Sequence, residues 1–350
     1  MQLISPRWKD RWNLTPAQWA ADRAQYTSLL YPYGLPTSGV DLVEPGFLGF
    51  PLPTGCASIT RYTINAPGQR PGGSVQHTYL FYPTAAPRGE LVVWMCGHSG
   101  ISVYLTPDEG STIQALLAVG YHVLACDMAS FDWLLGPVGC HVVIGGTWSY
   151  SAGAWHNVGG TLTAFAEHEL NFGDDGGPLA MLQFIHHVLL STTTAVATLS
   201  PGRTLLAGHS GGGVCGHIVA AIDTRFTIFC SNCPGLPYNQ YYSAGGYTDW
   251  ETLLFTEPYA NPPYMFDIWG ALRLAASLPG RRTDVVSALH DEYWFFRDLS
   301  QWYEDVETIA NQTASVDNVF THYLDPTPFP GHVMNATRLA RMISILNGDQ

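Results

Sequence analysis

Two serines, Ser99 and Ser210, each stand in the tetrapeptide Gly-His-Ser-Gly, at 97–100 and 208–211. A serine hydroxyl is a weak nucleophile until the chain presents it and a base takes its proton, so the residues around each copy decide its chemistry. Gly208-His209-Ser210-Gly211-Gly212 completes the pattern G-x-S-x-G, whereas the first copy is followed by Ile101 where the pattern needs glycine. The second copy also follows an apolar run, Arg203–Gly208, and precedes a small-residue segment of helical character, Gly213–Ile222. Glycine at 208 and 212 leaves room for a sharp strand-to-helix turn. A helix beginning at Gly211 aims its unpaired N–H groups and positive dipole end at the Ser210 oxygen. Ser210 is therefore the expected nucleophile, with the Gly211 N–H on the oxyanion that its attack creates.

The elements that must position this turn are legible as short apolar runs. Strands are expected at Leu91–Met95, Tyr121–Cys126, Arg203–Gly208, Phe226–Cys230, Asp284–Leu289 and Asn318–Leu324. Nearly continuous apolar runs of this length suit strands covered on both faces. Helices are expected between them, at Ser111–Gly120, Pro178–Leu190, Gly213–Ile222 and Ala336–Asn347. Such alternation predicts an α/β fold, a mostly parallel central sheet flanked by helices. With 350 residues, no internal repeat beyond the tetrapeptide and no low-complexity linker, the chain reads as one domain, 1–350, with insertions. Two long stretches, 128–177 and 234–280, are rich in Trp, Tyr, Phe, Gly and Pro, and are expected to form a cap or cleft wall over the serine.

The ordered set of motifs resembles the α/β-hydrolase superfamily. It comprises Cys96–Gly100 after a strand, Gly120–Phe131, the Gly208–Gly212 turn, Asp291 after a strand, and Pro330-Gly331-His332 before the last helix. The resemblance spans roughly residues 77–347 and leaves residues 1–70 as an N-terminal extension; it identifies no subfamily. It implies a triad in the chain order serine, acid, histidine. His332, in a turn before a helix, is preferred as base over His322, which lies inside a strand-like run. Asp291 is the expected acid, with the adjacent Glu292 as its alternative. The resemblance also gives the first tetrapeptide a part: the backbone near His98 and Ser99 would supply the second oxyanion-hole N–H.

These residues together imply a serine hydrolase that cleaves carboxylic esters through an acyl-enzyme, with no cofactor and no metal. An amidase or peptidase using the same triad is the first alternative, since the motif does not separate ester from amide carbonyls. A non-catalytic, hydrolase-like binding or structural protein is the second. The net charge of −13, from 28 acidic against 15 basic residues, disfavours a nucleic-acid partner. Aromatic cleft residues on an acidic protein suit a neutral small-molecule or acylated-carbohydrate ester. No run reaches the ~18 to 20 apolar residues of a membrane-spanning helix. The N-terminal segment lacks the basic start and apolar block of a secretory signal, which implies cytoplasmic synthesis without one or a signal already removed. Seven cysteines show no metal-ligand spacing, and Cys230 and Cys233 read as the end of a buried strand. Nothing in the sequence sets the oligomeric state.

Overall fold

A computed structural model of the chain describes residues 12–30, 35, 39–49, 51–66, 74–97, 109–126, 148–151, 154–157, 164–166, 179–234, 268–291, 299–314, 316–328 and 331–349. In chain order the elements begin with helix α1 (Pro16–Leu30) and strands β1 (Leu42–Pro45), β2 (Cys56–Ala66), β3 (Ser74–Pro83) and β4 (Glu90–Met95). Helix α2 (Glu109–Val119) and strand β5 (His122–Cys126) follow, then β6 (Trp148–Ser151), β7 (Ala154–Asn157) and β8 (Ala164–Ala166). Next come α3 (Leu179–Leu199), β9 (Arg203–His209), α4 (Gly211–Ile222), β10 (Phe226–Asn232) and α5 (Ile268–Ala276). The chain closes with β11 (Arg282–Ala288), α6 (Leu299–Thr313), β12 (Val319–Asp325) and α7 (Ala336–Asn347). Among the described residues, nine strands form a mostly parallel sheet and β6–β8 a separate antiparallel one.

The chain divides into two compact units, residues 1–36, 90–95 and 201–350 in the first and 37–89 and 96–200 in the second. In the first, β4 pairs with β9, β9 with β10, β10 with β11 and β11 with β12, all in parallel. Of the apolar runs read from the sequence, Leu91–Met95 on β4 is buried throughout, Arg203–Gly208 on β9 from Thr204 onward and Asp284–Leu289 on β11 up to Ala288, whereas the run on β12 is exposed or half-buried up to Leu324. Parallel pairing brings the carboxyl ends of these strands to one edge, which is where ligands bind in sheets of this kind. Ser210 follows β9 directly, and Asp291 comes three residues after β11.

The second unit is an antiparallel run in which β1 pairs with β2, β2 with β3 and β3 with β5, with α2 and α3 packed on it. Residues 1–70, which the motifs leave unmatched, thus supply α1, β1 and β2. Strand β2 escapes an apolar-run reading because Thr60, Arg61 and Thr63 interrupt Ile59, Tyr62 and Ile64. The insertions expected at 128–177 and 234–280 lie mostly outside the described residues, apart from β6–β8 and α5.

Helix α1 joins the first unit through a stripe at helical spacing, Trp19, Asp22, Arg23 and Tyr26, all buried. Burying two cations there needs an account, because a desolvated guanidinium is costly unless every fork finds an acceptor. Last-turn carbonyls of α4 and α5, together with those of Asp223 after α4 and Phe226 at the start of β10, supply those acceptors. Arg281 donates to the carbonyls of Ala220, Asp223 (2.8 Å), Phe226 (2.8 Å) and Ala275 (3.2 Å). Arg23 donates to those of Ala221 (2.9 Å) and Leu274 (2.5 Å) and to the Ser277 hydroxyl (2.9 Å). Desolvation lowers the pKa of Arg281 to about 9 and that of Arg23 to about 10. Arg281→Met should leave four buried carbonyls without this donor and cost about 3 kcal/mol or more, read as a lower urea midpoint with unchanged m value. An unchanged midpoint would show that the carbonyls find other partners.

His322, the alternative base, sits on β12 opposite Val285 of β11, away from the carboxyl edge of the sheet. Burial, with Arg341 adding to it, pushes its pKa down to about 3. An unfolded histidine titrates near ~6.5, so between these values the unfolded chain binds the extra proton. His322 should therefore subtract stability as pH falls from about 6.5 toward 3. Denaturation midpoints of His322→Gln across that range should fall less steeply than those of the parent; parallel curves would remove His322 as a contributor.

Candidate active site

Between β9 and α4 the chain reverses at a single residue. Ser210 takes φ 54° and ψ −128°, outside the regions open to an unstrained L-residue, and begins the helix without a side-chain cap. Backbone of this kind costs roughly 1–3 kcal/mol and persists only where the surroundings impose it. Here the surroundings are tight. A Cβ at Gly208 would lie 2.5 Å from the Gly212 carbonyl oxygen, so glycine at 208 is a condition of the turn. Asn232, at the end of β10, holds both flanks: its carbonyl accepts from the Ser210 N–H at 2.9 Å, and its side-chain amide donates to the Gly208 carbonyl at 3.4 Å. Gly211 opens α4 with its N–H in the first turn, where no carbonyl of the helix can reach it.

Two residues expected from distant parts of the sequence meet this serine. His332 Nε2 lies 2.7 Å from the Ser210 hydroxyl, and His332 Nδ1 lies 2.7 Å from a carboxylate oxygen of Asp291. Because the carboxylate only accepts, a proton on Nδ1 leaves the Nε2 lone pair facing the hydroxyl. All three side chains are buried; Asp291 is 4% exposed and His332 9%. The loops carrying the acid and the histidine touch backbone to backbone. A Cβ on Gly331 would overlap the His290 carbonyl, so glycine before the histidine is what permits the approach.

His98, Ser99 and Glu292 lie outside the described residues, so the second oxyanion donor and the alternative acid carry no geometry. Residues that the sequence reading passed over surround His332 instead. The His209 Nε2–H donates to the His332 carbonyl at 3.1 Å, its ring 5.3 Å from the His332 ring centre to centre. Arg338, on α7, is wholly buried; it donates to the carbonyls of Gly331 and Val333 (2.7 Å), to Asp325 (2.5 Å) and to the Cys233 sulfur (3.2 Å). Burial alone would raise the Asp325 carboxyl. Hydrogen bonds from Thr327 and Asn335 and the Arg338 charge together hold it below the usual carboxylate range. One signal for Arg338 was available: the buried stripe of α7 is Arg338, Met342, Ile345 and Leu346, a cation at a core position.

Cys233, Asp291 and His332 offer ligand-type atoms within 4.8 Å of one another, the one such trio among the described residues. The Arg338 guanidinium hydrogen-bonded to Cys233 places a positive charge against this trio, which opposes a second cation. Cys230 and Cys233 are buried thiols not joined to each other.

No family model matches the chain, and no curated protein matches it in sequence. Solved structures do. The chain is similar to methylesterase BT1017, at 11% identity and a TM-score of 0.58, over 97% of this chain and 64% of that one. It thus spans less than two thirds of that protein. A glucuronoyl esterase from Solibacter usitatus is 14% identical with a TM-score of 0.55, covering 95% of this chain and 94% of its own. Acetyl xylan esterase 1 from Thermoanaerobacterium sp. is 16% identical with a TM-score of 0.52, covering 97% of each. At these identities the likeness speaks for architecture, and the chain has the α/β-hydrolase fold that its motifs resemble.

Proposed function

We propose that the protein is a serine hydrolase that cleaves carboxylic esters, with Ser210 as nucleophile, His332 as general base and Asp291 as the group that orients it. The observation that carries this reading is the unbroken chain of two 2.7 Å contacts, Ser210 to His332 and His332 to Asp291. It starts from a serine held in a strained turn at a helix N-terminus. Such a geometry suits acyl transfer. Ser210 Oγ attacks the carbonyl carbon as its proton passes to His332 Nε2; Asp291 stabilises the imidazolium. The oxyanion is met by the Gly211 N–H and, in this reading, by an N–H near His98 or Ser99. Collapse expels the alcohol, which takes the proton from His332, and water then releases the acid by the same steps.

Ester rather than amide substrates are favoured by the names of the similar proteins, a methylesterase, a glucuronoyl esterase and an acetyl xylan esterase. Those names bring acylated or esterified carbohydrates forward as the substrate class, and the net charge of −13 agrees with a neutral substrate better than an anionic one.

Turnover of 4-nitrophenyl acetate and of the matched anilide, together with labelling by a fluorophosphonate, tests the reading. Ser210→Ala should abolish ester turnover and labelling with the fold intact, while Ser99→Ala keeps most of both, since only its backbone is assigned a part. Asp291→Asn should lower kcat by up to ~10⁴, because an amide stabilises the wrong histidine tautomer; Glu292→Gln should be mild. A folded Ser210→Ala protein with parental turnover would remove the serine from the mechanism, and faster cleavage of the anilide would make the enzyme an amidase.

A further inference from the structure

Three consecutive carbonyls, those of Gly331, His332 and Val333, each accept a hydrogen bond from a buried side chain. Arg338 takes the outer two with one nitrogen, and His209 takes the middle one. Ordinary loops leave their carbonyls to water. Here a loop with no strand or helix of its own is fixed on both sides of the histidine, by donors from two different elements.

We infer that His209 and Arg338 are positioning residues that clamp the His332 peptide so that its imidazole stays between Ser210 and Asp291. The inference rests on the function proposed for those three residues and adds two that act through the backbone around His332. Arg338 is anchored at its other end. Its Nε donates to Asp325 at the end of β12, and Asp325 also accepts from Thr327 and from Asn335, the residue that caps α7. The clamp on Gly331 and Val333 therefore inherits the rigidity of a strand end and a helix start. His209 is anchored by sequence, because it is the residue before Ser210. Its bond to the His332 carbonyl ties the backbone of the base to the same turn that carries the nucleophile. Since a carbonyl only accepts, the His209 proton must be on Nε2.

The need for such a clamp follows from the loop itself. Gly331 must be glycine to pass the His290 carbonyl, and glycine is the residue whose backbone is least restricted. Without external bonds, the residue next to His332 would carry the widest conformational freedom in the site. Misplacement of a reacting group by ~1 Å can cost about 10²-fold in rate, so the clamp should be read in kcat rather than in substrate binding.

The test uses full-length protein and four variants. His209→Leu removes the donor, and His209→Gln keeps an N–H that can reach the same carbonyl. Arg338→Lys keeps a cation beside Asp325, but its one ammonium cannot occupy both the Nε position that serves that carboxylate and the terminal position that serves the two carbonyls. His332→Ala identifies, by its loss, the low-field proton resonance of the Nδ1–H shared with Asp291.

We expect His209→Leu to lower kcat on 4-nitrophenyl acetate by about 10²-fold with KM little changed, and to shift or broaden the low-field resonance. His209→Gln should recover part of the rate and the resonance. Arg338→Lys should fall between the two. If Arg338→Lys does not fold, the two His209 variants decide alone. Folded His209→Leu with parental kcat and an unmoved resonance would overturn the clamp, as would equal losses in His209→Leu and His209→Gln. Failure of the underlying reading has a different signature: His332→Ala or Ser210→Ala would keep turnover, whatever the His209 variants do.

Discussion

The site depends on one reversal of the backbone, from β9 into α4 at Ser210. A parallel strand buried on both faces can expose a side chain only where it ends, and a helix that follows at once leaves no loop in which to relax. Ser210 therefore absorbs the whole change of direction at φ 54° and ψ −128°. Everything near it serves that constraint. Gly208 has no Cβ because the Gly212 carbonyl occupies the space, and Asn232 bonds the backbone on both sides of the turn. In return the serine stands at the positive end of a helix whose first N–H groups lack helical partners.

A second theme is the use of arginine to satisfy buried carbonyls. Of 15 basic residues only Lys9 is a lysine, and the other 14 are arginines. Arg281 and Arg23 close the carboxyl ends of α4 and α5, and Arg338 does the same for the loop of His332. A planar fork of five N–H donors can serve several carbonyls that converge from different elements, which a lysine ammonium on a flexible stem does poorly. Satisfying carbonyls with buried cations carries a desolvation cost, visible in the lowered pKa values of Arg281 and Arg23. That cost is offset where several backbone oxygens converge, since leaving a buried one without any donor costs about 1–3 kcal/mol.

The sequence was most legible where one local rule acts alone. Strands β4, β5, β9, β10 and β11 and helices α2, α3, α4 and α7 fall on the apolar runs and helical segments read from it, because burial on both faces of those strands leaves few polar residues to confuse the period; β12 also falls on its run, although it is exposed or half-buried up to Leu324. Ser210, His332 and Asp291 were nameable from motif and chain order, although no local signal places them within hydrogen-bonding distance. Strand β2 stayed hidden because its pairing with β3, not its own apolarity, holds it in the sheet. Helix α1 stayed hidden because two of its buried residues, Asp22 and Arg23, are charged. The parts of His209 and Arg338 were hidden differently: the α7 stripe marks Arg338 as a buried cation, but the partners of both residues include backbone carbonyls, 123 and 5 to 7 residues away, and a carbonyl has no sequence signature.

His209 occupies the position in G-x-S-x-G that the pattern leaves open, and that freedom has a geometric meaning. Successive side chains along a strand point to opposite sides, so the residue before Ser210 cannot share its direction. At the end of β9, however, the reversal at Ser210 turns the chain so that the hydroxyl reaches the His332 ring while the His209 ring reaches the His332 carbonyl. One dipeptide thus contacts His332 at Nε2 and at its backbone. Both contacts are carried by the one turn, so the distance between the Ser210 hydroxyl and the His332 ring is set within a single short stretch of chain. Asp291 is registered separately, through the contact of Gly331 with the His290 backbone. The histidine is therefore located from both neighbours by main-chain contacts, and its side chain has only its own rotation left to settle, which the bond to Asp291 fixes.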